Sequence, residues 1–264
     1  MAIFNSVYKS FTPKTWNWDL SKAISSNRTQ FSLWNYSYEI SLSEDGTKLF
    51  VSWTTSTTDS WINVYPLSTP FDITTTWTAT TYGNWSARLY PNACMADNWN
   101  KLFIWYGTGS STYARYDLWT AYDLSNIDFT SPDDTFTMTA DLWIMSVSAD
   151  GKNFIYRPWT ARSLTYAVSS TAREPVNSQT ALLSSSNVMS GTFCNEWKML
   201  MVMDGTTIKK YELWTPYDLT TLNTTPIQSQ STGLGWNPWG IYVDKYGDNI
   251  YISINNVLYR YNLV

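Results

Sequence analysis

The chain has 264 residues, of which 17% are aromatic, 16 are Trp and only 14% are charged; its formal net charge is −4 and it has no His. An acidic balance with no Lys/Arg cluster offers nothing to neutralise phosphates, which excludes a nucleic-acid interface. The missing His removes His-based triads, most zinc enzymes and the commonest general base, so no catalytic residue, metal or other cofactor is expected.

The N-terminus MAIFNSVYKSFTPK has no apolar h-region, and no apolar run in the chain approaches the length of a membrane span. No signal peptide and no membrane span are therefore expected. Residues 1–10 are assigned to no element. A turn motif first occurs, with an insertion, in VYKSFTPKTWNWDLS (7–21). WDLSKAIS (18–25) is then available as an outer strand for the last unit of the chain.

From residue 41 a unit repeats. SLSEDGTKLFVSW (41–53) reads as strand, tight turn, strand, and VYPLSTPFDIT (64–74) as strand and turn. The second unit has CMADNWNKLFIWY (94–106) and YDLWTAYDLS (116–125). The third has SVSADGKNFIYRP (146–158) and a decayed turn motif, YAVSSTAREPVN (166–177). The fourth has TFCNEWKMLMVMD (192–204) and YELWTPYDLT (211–220), and the fifth IYVDKYGDNIYIS (241–253) with the terminal YRYNLV. Gly in the first turn supplies a positive φ, while Pro presets φ in the second and Asp bonds the backbone two residues on. The matched apolar positions Leu49, Leu102, Phe154, Leu200 and Ile250 lie about 46 to 53 residues apart, the size of a propeller blade.

The spacing predicts one all-β domain over 1–264, a five-bladed β-propeller of four-stranded antiparallel blades. The blades fall at 38–85, 86–137, 138–183, 184–233 and 234–264, the last completed by the N-terminal segment 1–37. Cys94 and Cys194 lie in non-adjacent units and are read as buried free thiols.

Asp19, Asp72, Asp123 and Asp218 recur in the turns and are read as turn formers. Trp18, Trp119 and Trp214 beside them are read as packing blades together. The variable loops RTQFSLWNY (28–36), STTDSW (56–61), TYGNWS (81–86), GTGSST (107–112) and TGLGWNPW (232–239) are expected on one face. Several place aromatic rings beside amides and hydroxyls, which suits the apolar face and hydroxyl rim of a sugar. Trp34, Tyr36, Trp61, Tyr82, Trp85 and Trp236 are the candidate ligand-binding residues. Glu39 and Asp141, near the starts of inner strands, are the only carboxylates considered for a glycosidase-like pair facing a central channel.

LSTPFDITT (67–75) and SEDGTKLFV (43–51) resemble the repeats of a group of phage structural proteins, which carry LSTP[WF]D[IL]ST followed by SSDGTK[ML][YF]V. The chain departs from that pattern with Trp119 and Trp214 in place of Ser and in its third copy. The resemblance implies a virion structural protein, a component of a tail, fibre, spike or other appendage, without enzymatic activity. It implies other virion proteins as partners, a host-surface glycan as ligand, and assembly in the host cytoplasm. The rival readings are a soluble five-bladed lectin and, behind it, a glycoside hydrolase.

Overall fold

The repeated hairpin follows from its turn chemistry. In SEDGT the Ser43 hydroxyl donates to Asp45 Oδ1 (2.6 Å), the Thr47 N–H donates to the same oxygen (3.0 Å), and the Lys48 N–H donates to Ser43 Oγ (2.9 Å). Gly46 and its counterpart Gly247 take φ of 72° and 71°, where a Cβ is unfavourable. In that fifth copy Asp244 replaces Ser43, accepting from the N–H groups of Tyr246 and Asp248 and from the Asn249 amide.

The computed structural model describes residues 19–33, 36–54, 60–83, 89–96, 100–107, 111–138, 142–147, 153–158, 164–168, 177–181, 188–194, 198–216, 218–235, 238–244 and 246–264. Among the described residues, twenty strands form five four-stranded antiparallel sheets. The chain enters with β1 (Arg28–Ser32) and builds the first sheet from β2 (Tyr36–Leu42), β3 (Lys48–Thr54), β4 (Ser60–Pro66) and β5 (Thr80–Tyr82). The second contains β6 (Leu89–Ala96), β7 (Lys101–Gly107), β8 (Ser111–Asp117) and β9 (Asp134–Met138). The third contains β10 (Leu142–Val147), β11 (Asn153–Pro158), β12 (Leu164–Val168) and β13 (Asn177–Ala181). The fourth has β14 (Val188–Cys194), β15 (Met199–Asp204), β16 (Thr207–Glu212) and β17 (Gln228–Ser231). The fifth takes β18 (Pro238–Val243), β19 (Asn249–Ile254) and β20 (Val257–Asn262), with β1 paired to β20 from Arg28↔Tyr261 to Ser32↔Val257.

The first strands β2, β6, β10, β14 and β18 touch one another in cyclic order, the arrangement of a β-propeller. Each pairs with its second strand through a register shift, between Ser37 and Ile40, Leu89 and Asn92, Ile144 and Ser146, Val188 and Ser190, and Pro238 and Gly240. A bulge at the same place in every sheet bends the innermost strand and steepens its twist.

The repeat positions Leu49, Leu102, Leu200 and Ile250 are buried, each opposite a buried tyrosine of the third strand: Tyr65, Tyr116, Tyr211 and Tyr261. Two residues on, Leu67, Leu118, Leu213 and Leu263 each donate their N–H to a carbonyl of the first hairpin turn, of Thr47, Asn100, Lys198 and Asp248. In the third sheet Phe154 opposes Ala167 and the motif's Tyr166 opposes Ile155, one residue out of the register of the other units. Cys194 is a buried free thiol, which burial pushes well above its ordinary pKa; the Cys94 side chain lies outside the described residues.

The aspartates are turn formers. Asp72 accepts from the N–H and hydroxyl of Thr74, Asp218 does the same with Thr220, and Asp123 and Asp19 accept from the N–H groups of Ser125 and Ser21. Asp19, Asp72 and Asp218 each precede a short 3-10 turn (Leu20–Lys22, Ile73–Thr75, Leu219–Thr221). This corrects the assignment of 18–25 as an outer strand: it contains the turn, and the strand is Arg28–Ser32, assigned to a loop in the sequence analysis. In the other units too, the outer strand follows the turn.

In the first and second sheets the residue before Asp clasps the preceding sheet. Phe71 and Tyr122 both take φ of 63°. The Phe71 ring meets Tyr246 edge-on at 5.8 Å, and its carbonyl accepts from the Tyr251 hydroxyl (2.7 Å). The Tyr122 hydroxyl accepts from the Glu44 N–H (2.8 Å), and its ring stacks on Phe50 at 6.4 Å. Asp72 also pairs with Arg260 of β20 at 3.0 Å. These contacts do the packing assigned above to the turn tryptophans. Trp119 and Trp214 are 92% and 84% exposed and pack no sheets together; Trp18 lies outside the described residues.

A Cβ on Gly46 would stand 2.5 Å from the Phe71 ring, whereas one on Gly235 would meet nothing within 4 Å. Gly46→Ala is therefore expected to cost about 2 kcal/mol or more in urea unfolding, from overpacking and a strained φ, and Gly235→Ala to change little. A pH dependence follows from Asp72. Its partial burial alone would raise the carboxyl, but Thr74 and the Arg260 guanidinium hold it below its ordinary 3.8. The ionised form thus favours folding above pH 3.8, and that contribution is lost as pH falls from 3.8 through the lowered folded-state value. Asp72→Asn is expected to flatten this acid-side loss in a plot of unfolding midpoint against pH.

Candidate functional site

Strand alternation decides which side chains can meet. On β4, Ile62 and Val64 face the second sheet in a cluster with Phe50, Met95 and Leu102. Trp61, Asn63 and Tyr65 take the opposite face, with Val51 and Leu49 across the ladder and Leu258 of the fifth sheet beyond. The second of these faces opens into a groove of about 470 Å³ between the first sheet and β1. Such a volume lies within the range of small-molecule sites, roughly 300–1,000 Å³.

The groove is lined by Phe31 of β1, Trp53 of β3, Asn63 and Tyr65 of β4, Thr81 of β5, and the segment Thr76–Ala79 with Trp77. Its aromatic walls are ordered. Trp53 stacks on Trp61 at 4.7 Å and 24°, and Phe31 meets Tyr65 edge-on at 5.4 Å and 80°. Its polar groups form a chain: the Thr81 hydroxyl donates to Asn63 Oδ1 (2.8 Å), and Asn63 Nδ2 donates to the Tyr65 oxygen (3.2 Å). Burial raises the Tyr65 phenol above its ordinary 10.0, so it stays a neutral donor. The Trp53 Nε1–H is buried without a hydrogen-bond partner, and Trp77 stands 66% exposed at the rim. Among the described residues lining the groove none is charged. Such a lining is chemically suited to a neutral ligand with one apolar face and several hydroxyls.

Of the six candidates from sequence, Trp61 belongs to this groove through its stack on Trp53. Tyr82 does not: it pairs directly with Ile62 and packs in the cluster on the other face of the sheet. The two are therefore not parts of one site. Trp34, Trp85 and Trp236 lie outside the described residues; Tyr36 opens β2 opposite Thr54, with its side chain outside them. Sequence reasoning passed over Trp53, Asn63 and Trp77. The available signal was the pair Trp53 and Trp61 at either end of one hairpin, with polar Asn63 two residues along the same face.

No known family model matches the chain, and no curated protein does either. Among solved structures it is similar to a functionally unknown protein from Desulfotomaculum acetoxidans, at 11% identity and a TM-score of 0.50, over 84% of this chain and 64% of that one. It is also similar to the β-propeller domain of Cps50 (Swd1) from Myceliophteria thermophila, at 10% identity and a TM-score of 0.46, over 83% of this chain and 62% of that one. A chain of the mitotic checkpoint complex matches at 13% identity and a TM-score of 0.49, over 86% and 74%. The chain thus spans less than two thirds of the first two proteins. At these identities the likeness concerns the fold alone. Among the described residues no group of three or more His, Cys, Asp or Glu could hold a metal ion, and no helix is long and apolar enough to cross a membrane.

Glu39 does not face a channel, contrary to the expectation above. It sits at the β2 bulge, 5% exposed, in a closed space of about 10 Å³ against Phe50, Ile62, Ala93, Met95 and Leu102. A sugar ring cannot enter such a space; Asp141 lies outside the described residues. Burial pushes the Glu39 carboxyl well above its ordinary 4.5, opposed only by the Ile40 N–H. The protonated form thus favours folding, fully below pH 4.5, and this is lost as pH rises from 4.5 through the raised folded-state value. Glu39→Gln is expected to match the parent near pH 4 and exceed it in unfolding midpoint at pH 7.

Proposed function

We propose that this chain is a non-enzymatic, carbohydrate-binding propeller of five blades, closed into one ring by the pairing of β1 with β20. It is carried as a structural protein on a phage-type particle, where its ligand is a glycan of the host surface. The observation that carries the binding reading is the uncharged groove. It combines the Trp53–Trp61 stack, the rim indole of Trp77, and an ordered amide and hydroxyl chain through Asn63 and Thr81. Stacking on a pyranose face and hydrogen bonding to its hydroxyls use both kinds of group at once. The groove lies at the seam between the first and last sheets, which favours one composite site over a set of identical pockets. The virion placement, with other virion proteins as partners, is supported by the resemblance of LSTPFDITT and SEDGTKLFV to phage repeats.

The test is a glycan array with the purified protein and three variants. Trp53→Ala and Trp77→Ala are expected to weaken binding about tenfold or more, equivalent to about 1.4 kcal/mol. Tyr82→Ala, on the far face of the sheet, should bind as the parent does. An array without signal at high protein concentration, or binding indifferent to both tryptophans, would remove the glycan reading and direct the search to a protein partner.

A further inference from the structure

Trp119 and Trp214 occupy the same position of two turns, LWTAYD and LWTPYD, and leave 92% and 84% of their surface in water. The first sheet has Ser68 at that position and builds the same backbone. The Ser68 N–H donates to the Thr75 carbonyl (3.3 Å) and the Trp214 N–H to the Thr221 carbonyl (3.4 Å). Next in each turn, the N–H groups of Thr69 and Thr215 donate to the hydroxyls of Thr75 and Thr221 (3.1 and 3.0 Å). The turn thus needs no indole, and both indoles are spent on the surface.

We infer that Trp119 and Trp214 are stacking platforms of two rim sites for neutral pyranose sugars, separate from the groove. The inference borrows the ligand class proposed above but stands on different residues. Around Trp214 lies a shallow depression of about 640 Å³ bordered by Thr215, Thr220, Leu222 and Asn223. Its polar groups are held in place beforehand. The Thr220 hydroxyl donates to Asp218, and Asn223 Oδ1 accepts from the Thr225 N–H (3.1 Å), which fixes the orientation of the Asn223 amide. A flat aromatic face beside fixed hydroxyl and amide groups matches a pyranose ring.

A protein partner is disfavoured by placement. The two indoles sit on the second and fourth sheets, with the whole third sheet between them. A protein partner would have to span that sheet to engage both indoles, whereas each can stack a separate sugar ring. The carboxylate nearest Trp119 in sequence, Asp117, is paired with Lys101 and Arg115 (3.6 and 3.1 Å), so it offers no free charge for an ionised sugar. Two weak sites on one rigid body hold a polymer far better than either alone.

The experiment reads the indole N–H resonances of Trp119 and Trp214 by NMR, assigned through Trp119→Ser and Trp214→Ser. The probes are methyl β-glucoside, methyl α-mannoside, N-acetylglucosamine and N-acetylgalactosamine. Both resonances are expected to move with at least one sugar, and to move equally in Trp53→Ala, whatever becomes of the groove. The double serine variant, whose turns Ser68 shows to be tolerated, should lose about 100-fold in apparent affinity for a surface coated with a polymer of that sugar. The proposal is overturned if both indoles stay still with every sugar, or if the double variant holds the polymer as the parent does. Self-association of the parent that the double variant lacks would equally overturn it.

Discussion

The structure depends on a directional clasp in which the first and second sheets each grip their predecessor through one turn residue. Phe71 and Tyr122 reach the preceding sheet from backbone at φ near 63°, the Phe71 ring passing over Gly46 of its own first turn. Left-handed backbone at an aromatic residue is unfavourable by itself. It is offset by what it reaches: a ring edge and a tyrosine hydroxyl for Phe71, a backbone N–H and the Phe50 ring for Tyr122. The aspartate that follows ties the turn and, at Asp72, adds an ion pair to Arg260 across the same seam. The same few residues that end one sheet therefore fix where it stands against the sheet before it.

The groove is a by-product of this arrangement. The outer strand of the first sheet is only Thr80–Tyr82, and β1 beyond it carries a single large apolar residue, Phe31. Near the hub the seam is filled by Leu49, Val51, Tyr251 and Leu258. Trp53, Tyr65 and Trp77 wall a space that no other side chain among the described residues fills. A recognition site in such a place costs the core nothing, since the apolar residues that hold the sheets lie deeper in the seam. The buried Glu39, by contrast, sits between the first and second sheets, where it bears on stability and not on access.

Much of this was legible in the sequence because the turns carry it. SEDG and TPFD each specify a backbone through Gly, Pro and Asp, and their alternation gives the order of strands in a unit. The third copy, whose second turn has decayed, was still placed by SADG and the strand after it. Arg28–Ser32 was missed because RTQFS has one apolar residue and no alternation, and an outer strand paired on one side needs neither. Trp119 and Trp214 were misread for a related reason. Composition says that Trp is usually buried, and only the packing around Phe71 and Tyr122 shows that the position beside the turn points outward. Face assignment separated Trp61 from Tyr82, and that depends on cross-strand register, which no single strand states.

The backward reach of the clasp has a consequence for symmetry. A contact in which the front of one unit binds the back of another is heterologous, and such contacts extend without limit unless the rotation between units closes them. Here the units share one chain, so the angle set by Phe71 and Tyr122 determines whether the last sheet returns to the first. The Asp72–Arg260 pair and the Phe71–Tyr246 contact lie at the point of return. Loosening that seam would leave a first sheet with a free clasp and a last sheet with a free receptor for it. Two such molecules would be complementary end to end, and the geometry that makes a ring within one chain would make a filament between many.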